Sequence, residues 1–172
     1  MMFDFLIKRR IKKDLRSIAR AKQFLNLDEI GSAMVFFLPE QYDAANMLIE
    51  RLREMGKEVT GWTYLPKKYK GELPKMKCRI FEEKEDFDWT GEPWSETIDK
   101  ICTPPCDVMI DLTITPCYPL IYLFIQRESV FKVGVGKSFE PDLYDLTIMQ
   151  TKKKDSSFFA NQVIFYLKSI RS

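Results

Sequence analysis

The sequence contains no histidine. This absence removes the most common general base and a frequent metal ligand, so it excludes histidine-based catalytic triads and Cys2His2 zinc sites. The chain has only four cysteines, and the spacing of the last three, C-x3-C-x10-C, matches no zinc module. We therefore predict no metal site, no catalytic cysteine, and inert reduced thiols at Cys78, Cys102, Cys106 and Cys117.

Long apolar runs are also absent. The longest, residues 119–125, is about a third of the ~18 residues that a membrane-spanning helix needs. Near the N-terminus, Phe5-Leu6-Ile7 is too short for a secretory signal, and the basic residues follow it. We therefore expect a soluble, cytoplasmic protein, with residues 1–172 forming one domain.

The chain lacks a complete glycine-rich phosphate loop. Leu38-Pro39-Glu40-Gln41 stands where a dinucleotide-binding loop would follow the first strand. Gly134-Val135-Gly136-Lys137-Ser138 resembles the end of a P-loop, but Phe131 occupies the position of the first glycine. The next residues, Phe139-Glu140-Pro141-Asp142, predict a turn rather than the helix that such a loop must open. We expect no nucleotide and no other cofactor.

What the chain does have is a marked separation of charge. The net charge is +2 overall, but residues 1–25 hold eight Lys/Arg and two acidic residues, and the remainder is net acidic. Apolar residues spaced by three or four predict a basic amphipathic helix over this segment; they are Phe3, Ile7, Ile11, Leu15 and Ile18.

The apolar stripe of this helix should dock on the protein's own sheet, with its charges forming a solvated face. Contact with an anionic surface is the alternative, although the whole chain carries no strong nucleic-acid signal. The residues that would make this contact are Lys8, Arg9, Lys12, Lys13, Arg16 and Arg20.

The remaining pattern alternates strands with helices. A continuous apolar run at residues 33–38 predicts a strand buried on both faces, as in a parallel sheet. A helix begins at Pro39 and ends near Gly56, and a strand at 59–65 completes a βαβ unit. Further strands are predicted at 78–81, 106–112, 131–133 and 144–149, and further helices at 95–101, 116–127 and from a capping Ser156 onward.

This order predicts an α/β fold, namely a three-layer α/β/α sandwich. Its sheet should be Rossmann-like and mostly parallel, with about six strands in the order 3-2-1-4-5-6. The strands at 33–38 and 107–112 should therefore lie side by side.

The candidate ligand site lies at the carboxyl ends of these two strands, where ligands bind in open α/β sheets. Prolines at the start of the next helix remove amide donors, and Asp111 adds negative charge, so the site suits a neutral polar ligand better than phosphate. The alternative is that Asp111 only caps the helix or bonds backbone amides. The predicted ligand-binding residues are Glu40, Asp111, Thr113 and Thr115, and we recognise no catalytic set.

An acidic segment at residues 82–94 carries Phe87, Trp89 and Trp94. The two tryptophans should seal an edge of the sheet. They could instead form a binding surface, since aromatic residues are favoured in interfaces.

Residues 107–113, the apolar helix after them, Phe131-Lys132-Val133-Gly134 and residues 144–149 together resemble an uncharacterised bacterial family of domains of unknown function. The basic helix and residues 33–65 fit the same family, which implies no known activity. More distantly, this frame is similar to the acceptor half of heptosyltransferase-like GT-B glycosyltransferases. That likeness implies sugar chemistry with Asp111 as a base or hydroxyl-orienting group, but the chain has no second half to bind a donor.

Two functions remain open at this stage. The first is a non-catalytic binding or interaction domain, with a protein partner or a second copy as its possible contact. The alternative is a glycosyltransferase-like or sugar-binding domain. The second function requires a deep polar pocket at Asp111, Thr113 and Glu40, whereas the first predicts that this crevice is filled and that a contact surface lies elsewhere.

Overall fold

The computed structural model describes residues 2–18, 21–72, 75, 78–127, 130–136, 143–149 and 155–171. Its strands are β1 Ser32–Phe37, β2 Glu58–Leu65, β3 Arg79–Glu82, β4 Val108–Asp111, β5 Phe131–Val135 and β6 Leu146–Ile148. Its helices are α1 Met2–Ser17, α2 Tyr42–Glu54, α3 Glu83–Asp86, α4 Ser95–Cys102, α5 Tyr118–Ile125 and α6 Ser156–Ser169. Short 3₁₀ turns occupy Leu27–Glu29 and Pro39–Gln41.

The six strands form one parallel sheet in the order β3-β2-β1-β4-β5-β6, which confirms the predicted order. At its centre β1 pairs with β4, with Ala33 opposite Val108 and Phe36 opposite Asp111. Because all the strands run the same way, the segments that follow β1 and β4 meet at one edge of the sheet.

Each face of the sheet is covered, which gives the predicted α/β/α layers. Alternate strand residues such as Val35 and Ile110 belong to the apolar cluster under α2 and α6. Their neighbours, such as Phe36 and Met109, belong to the cluster under α1 and α5. Burial on both faces explains why β1 reads as an unbroken apolar run.

Helix α1 is shorter than the predicted helix, which extended to residue 25. Ile7 and Ile11 are buried with α5 on one face of the sheet, whereas Leu27 belongs to the cluster on the other face. The chain must pass from one face of the sheet to the other between Ile11 and Leu27, so tertiary packing overrides the helix propensity of residues 21–25. The side chain of Phe3 and all of Arg20 lie outside the described residues.

Other element boundaries also differ from the predictions. The N-cap of α6 is Asp155 rather than Ser156, because its carboxylate accepts hydrogen bonds from the amides of Ser157 and Phe158. Tyr166 of this helix is exposed. The predicted stop at Gly56 is confirmed by its left-handed backbone, with φ of 79°.

Among the described residues, no helix combines the length and the apolar character needed to cross a membrane.

We predict that Ile11→Ala lowers the free energy of unfolding by about 2–5 kcal/mol, because Ile11 is fully buried between α1 and the body of the protein. Urea denaturation measures this change. Phe5→Ala on the same helix is the matched control, since Phe5 is 63% exposed. Equal effects of the two substitutions would show that α1 is not docked as described.

Candidate functional site

The crevice between the carboxyl ends of β1 and β4 is bridged by the buried side chain of Gln41. Its Oε1 accepts a hydrogen bond from the Leu38 amide at 2.9 Å, and its Nε2 donates to the Leu112 carbonyl at 2.9 Å. Gln41 therefore occupies the position where ligands approach a sheet of this kind. The sequence analysis missed this role, because Leu38 cannot act as a side-chain cap and Gln41 supplies only the second half of a capping box.

Asp111 lies at the end of β4 and is only 4% exposed. Its Oδ1 accepts hydrogen bonds from the Thr113 amide at 2.8 Å and the Thr113 hydroxyl at 2.6 Å. Its Oδ2 accepts a hydrogen bond from the Tyr144 hydroxyl at 2.5 Å. Both carboxylate oxygens are thus engaged by the protein, and a ligand hydroxyl would have to displace one of these donors.

Tyr144 reaches Asp111 by passing over Gly134. In the ladder between β4 and β5, Gly134 lies directly opposite Asp111. A Cβ atom on Gly134 would stand 2.2 Å from the Tyr144 ring, so only glycine leaves room for that ring. Burial, and then the negative charge of Asp111, raise the pKa of Tyr144 well above its usual value of 10. No local sequence signal marks Tyr144 for this role.

The four predicted ligand-binding residues differ in burial. Asp111 and Thr113 are buried and bonded to each other, whereas Glu40 and Thr115 are exposed. Within the described part of the chain, no hydrogen bond or ion pair joins Glu40 or Thr115 to Asp111. A ligand-binding role for these residues stays a prediction. Lys137, Ser138 and residues 139–142, the segment compared with a P-loop, lie outside the described residues.

The cysteines differ chemically from the residues at this edge of the sheet. Cys106 is buried, and its thiol donates to the Val108 carbonyl at 3.2 Å. Burial raises the pKa of Cys106 to about 11, which disfavours the reactive thiolate. Across the residues that the structure describes, no group of three cysteine or acidic side chains could hold a metal ion.

A second candidate site is a groove of about 660 Å³ beside α1. One wall is the outward face of this helix, and the other is formed by Thr90, Glu92 and Tyr122. We call this the α1 groove. The helix residues that line it are Leu6, Ile7, Arg9, Arg10, Lys12, Lys13 and Arg16.

Only part of the positive charge in the α1 groove is neutralised. Arg10 lies 3.6 Å from both Asp14 and Glu92, and the Tyr122 hydroxyl donates to Glu92 at 3.3 Å. Glu92 chiefly raises the pKa of Arg10, and burial chiefly raises that of Tyr122, to about 12. The positive charge of Arg10 is therefore partly neutralised by these two carboxylates.

Three further cations of the α1 groove, Arg9, Lys13 and Arg16, make no ion pair with any described residue. Their spacing of four and three residues places them on one side of α1, over about 10 Å of helix. Three unneutralised cations so close together create a local positive potential, even though the net charge of the chain is small.

Trp89 lies on a tight loop next to the α1 groove. The Asp88 carboxylate accepts hydrogen bonds from the Thr90 amide, the Thr90 hydroxyl and the Glu92 amide, and Gly91 has φ of 82°. Trp89 is 73% exposed, and Trp94 is also exposed. The expectation that the tryptophans seal the sheet was therefore wrong, because Phe87 is the aromatic residue of this segment that is buried.

We predict that Gly134→Ala destabilises the protein by about 1–3 kcal/mol, because the added methyl group forces the Tyr144 ring away from Asp111. Chemical denaturation measures the loss. Gly31→Ala is the control, since its Cβ would meet no described atom closer than 3.4 Å. A similar small effect at both positions would contradict the packing of Tyr144 on Gly134.

Stability should fall as the pH rises above 10. Above this pH the unfolded chain releases its tyrosine protons, whereas buried Tyr144 keeps its proton. The free energy of unfolding should therefore decrease by up to about 1.4 kcal/mol per pH unit. Tyr144→Phe should remove this contribution in urea denaturation at about pH 9 and about pH 11. An unchanged slope in Tyr144→Phe would contradict the prediction.

Comparison with known proteins identifies a family rather than an activity. Neither the curated proteins nor the solved structures gave a match, so nothing supports the distant likeness to GT-B glycosyltransferases. The model of a family of unknown function (DUF6913) matches residues 4–170, nearly the whole chain. The chain therefore belongs to this family, in agreement with the resemblance inferred from its sequence.

Proposed function

We propose that this protein is a non-catalytic binding domain that holds an anionic partner in the α1 groove. The observation that carries the proposal is the row of Arg9, Lys13 and Arg16 along one wall of a groove of about 660 Å³. Each of these side chains is exposed, and none has an ion-pair partner among the described residues. Such a row matches a ligand with several negative groups spread over about 10 Å.

The sheet edge is the weaker candidate. Gln41 bridges the crevice there, and Asp111 is already bonded by Thr113 and Tyr144. Breaking such hydrogen bonds to a buried carboxylate costs free energy that a ligand would have to restore. The α1 groove carries no comparable cost, because its cations already face solvent.

The groove also offers a small apolar contact. Leu6 is partly exposed beside Arg9, and the Tyr122 ring lies on the opposite side. The volume of the α1 groove falls within the range of small-molecule sites, and its exposed cations can also bind a segment of a larger anion. A cytoplasmic location and a bacterial source stay predictions that accompany this proposal.

The direct test is binding of a labelled single-stranded oligothymidine, used as a generic phosphodiester anion, by fluorescence anisotropy. Three phosphate contacts should make the affinity fall about 20-fold between about 50 mM and about 200 mM salt. Binding that is unaffected by salt would contradict the proposal, and so would the absence of binding at low salt.

A triple variant localises the contact. Arg9→Gln, Lys13→Gln and Arg16→Gln together should weaken binding about tenfold or more, because each cation supplies up to about 1 kcal/mol. The matched control is Lys68→Gln, Lys70→Gln and Lys168→Gln, which removes the same charge from exposed positions outside the groove. Equal losses in both variants would mean that net charge, and not the α1 groove, determines binding.

A further inference from the structure

Three large apolar side chains are exposed near the N-terminal end of α1. Phe5 is 63% exposed and Leu6 is 38% exposed. Trp89, which is 73% exposed, belongs to the loop beside this helix. The loop packs on α1, because a Cβ atom on Gly91 would lie 3.4 Å from Ile7, and Trp89 and Ile7 line one groove of about 480 Å³. Exposed apolar side chains that gather in one place mark a contact surface.

Two of these side chains share the outward face of α1 with the three cations that make no ion pair with a described residue. An α-helix turns by about 100° per residue, so every member of this face lies within about 60° of Arg9 around the helix axis. The other members are Phe5, Leu6, Lys13 and Arg16. The apolar residues therefore begin the outward face, and the cations continue it towards the end of the helix.

The acidic residues of α1 lie away from its outward face. Asp4 and Asp14 are each about 140° around the helix axis from Arg9. On the adjoining loop, Asp88 accepts hydrogen bonds from the loop itself, and Glu92 lies beside an arginine of α1 and accepts a hydrogen bond from a tyrosine of α5. The undescribed residues next to α1 in the sequence add no acidic side chain; they are Met1, Ala19 and Arg20. The outward face therefore combines positive charge with exposed apolar groups.

We propose that the anionic partner of the α1 groove is a membrane surface that contains anionic phospholipids. This inference rests on the proposed function and names the partner of the same site. The cations of the outward face attract the phosphate and carboxylate groups of the lipids. Phe5, Leu6 and Trp89 enter the headgroup layer, to a depth of about 5–10 Å. Helix α1 lies along the membrane surface and does not cross it.

The combination of charged and apolar side chains favours a membrane over a soluble anion. Stable attachment of a peripheral protein to a membrane takes two signals, and the outward face of α1 supplies both of them. Each cation strengthens binding to an anionic membrane by about fivefold. Tryptophan is enriched where lipid meets water, which suits exposed Trp89. A soluble polyanion would satisfy the cations, but it would leave the aliphatic side chain of Leu6 in water.

Co-sedimentation of the full chain with large vesicles tests the proposal. Vesicles of phosphatidylcholine with about 30% phosphatidylserine should bind the chain about 100-fold more tightly than vesicles of phosphatidylcholine alone, because three cations contribute about fivefold each. Equal binding to the two kinds of vesicle would overturn the proposal.

A double variant separates the apolar contact from the charge. Phe5→Ala with Trp89→Ala should weaken binding to the phosphatidylserine vesicles about tenfold or more, because two exposed rings no longer enter the headgroup layer. The affinity of this variant for labelled oligothymidine should stay unchanged, since neither residue lines the α1 groove. The matched control is Phe158→Ala with Phe165→Ala, which removes two exposed rings from α6 on the other face of the sheet and should bind like the wild type.

Two results of this comparison would overturn the membrane contact. Equal losses of vesicle binding in the double variant and its control would show that the rings near α1 have no special role. A loss of oligothymidine affinity as large as the loss of vesicle affinity would assign Phe5 and Trp89 to a nucleic-acid strand, whose bases stack on aromatic rings.

Tryptophan quenching by brominated phosphatidylcholine in the same anionic vesicles covers the case in which the double variant fails to fold. The fluorescence of the bound wild-type chain should be quenched. Trp89→Phe should bind but lose most of the quenching, whereas Trp94→Phe, which changes the other exposed tryptophan, should keep it. A bound wild-type chain without quenching, or a Trp89→Phe variant with undiminished quenching, would overturn the proposal.

These outcomes separate the membrane contact from the proposed function. A chain that binds oligothymidine but no anionic vesicle overturns the membrane contact alone, and the α1 groove then stays a site for a soluble anion. A chain that binds neither probe overturns both. Arg9→Gln, Lys13→Gln and Arg16→Gln together should weaken both kinds of binding, because the same cations serve each.

Discussion

The pairing of β1 with β4 joins the two halves of this sheet, and every other feature of the molecule is positioned by it. The pair brings Phe36 opposite Asp111 and directs the segments after both strands to the same edge. There Gln41 ties the end of β1 to the Leu112 carbonyl. On one face of the pair lie α2 and α6, and on the other α1 and α5.

In this arrangement, the protein's own side chains occupy the crevice where folds of this kind usually bind a ligand. In related architectures, a glycine loop after the first strand presents amides to a phosphate group. Here Pro39 lacks an amide hydrogen, and Gln41 fills the crevice from the protein side. At the neighbouring position, Thr113 and Tyr144 donate hydrogen bonds to Asp111. A row of exposed cations without ion-pair partners among the described residues lies instead on α1.

The sequence predicted the architecture well because burial on both faces leaves a strong signal. Residues 33–38 and 107–112 read as apolar runs, and their pairing followed from the alternation of strands and helices. The end of α1 was not predictable in this way, because it depends on the chain crossing the sheet before Leu27. Asp111 was recognised as a notable acid, but its partner Tyr144 is 33 residues away. Such a pair depends on the close approach over Gly134, which no local pattern encodes.

The bridge made by Gln41 has a mechanical consequence. Proteins that close around a ligand commonly do so by hinge or shear movements of domains and packed elements. The side chain of Gln41 is hydrogen-bonded to the segments that follow β1 and β4, so it resists relative movement of these two segments. The centre of this sheet should therefore open rarely, and its amide hydrogens should exchange with solvent more slowly than those of the surrounding helices.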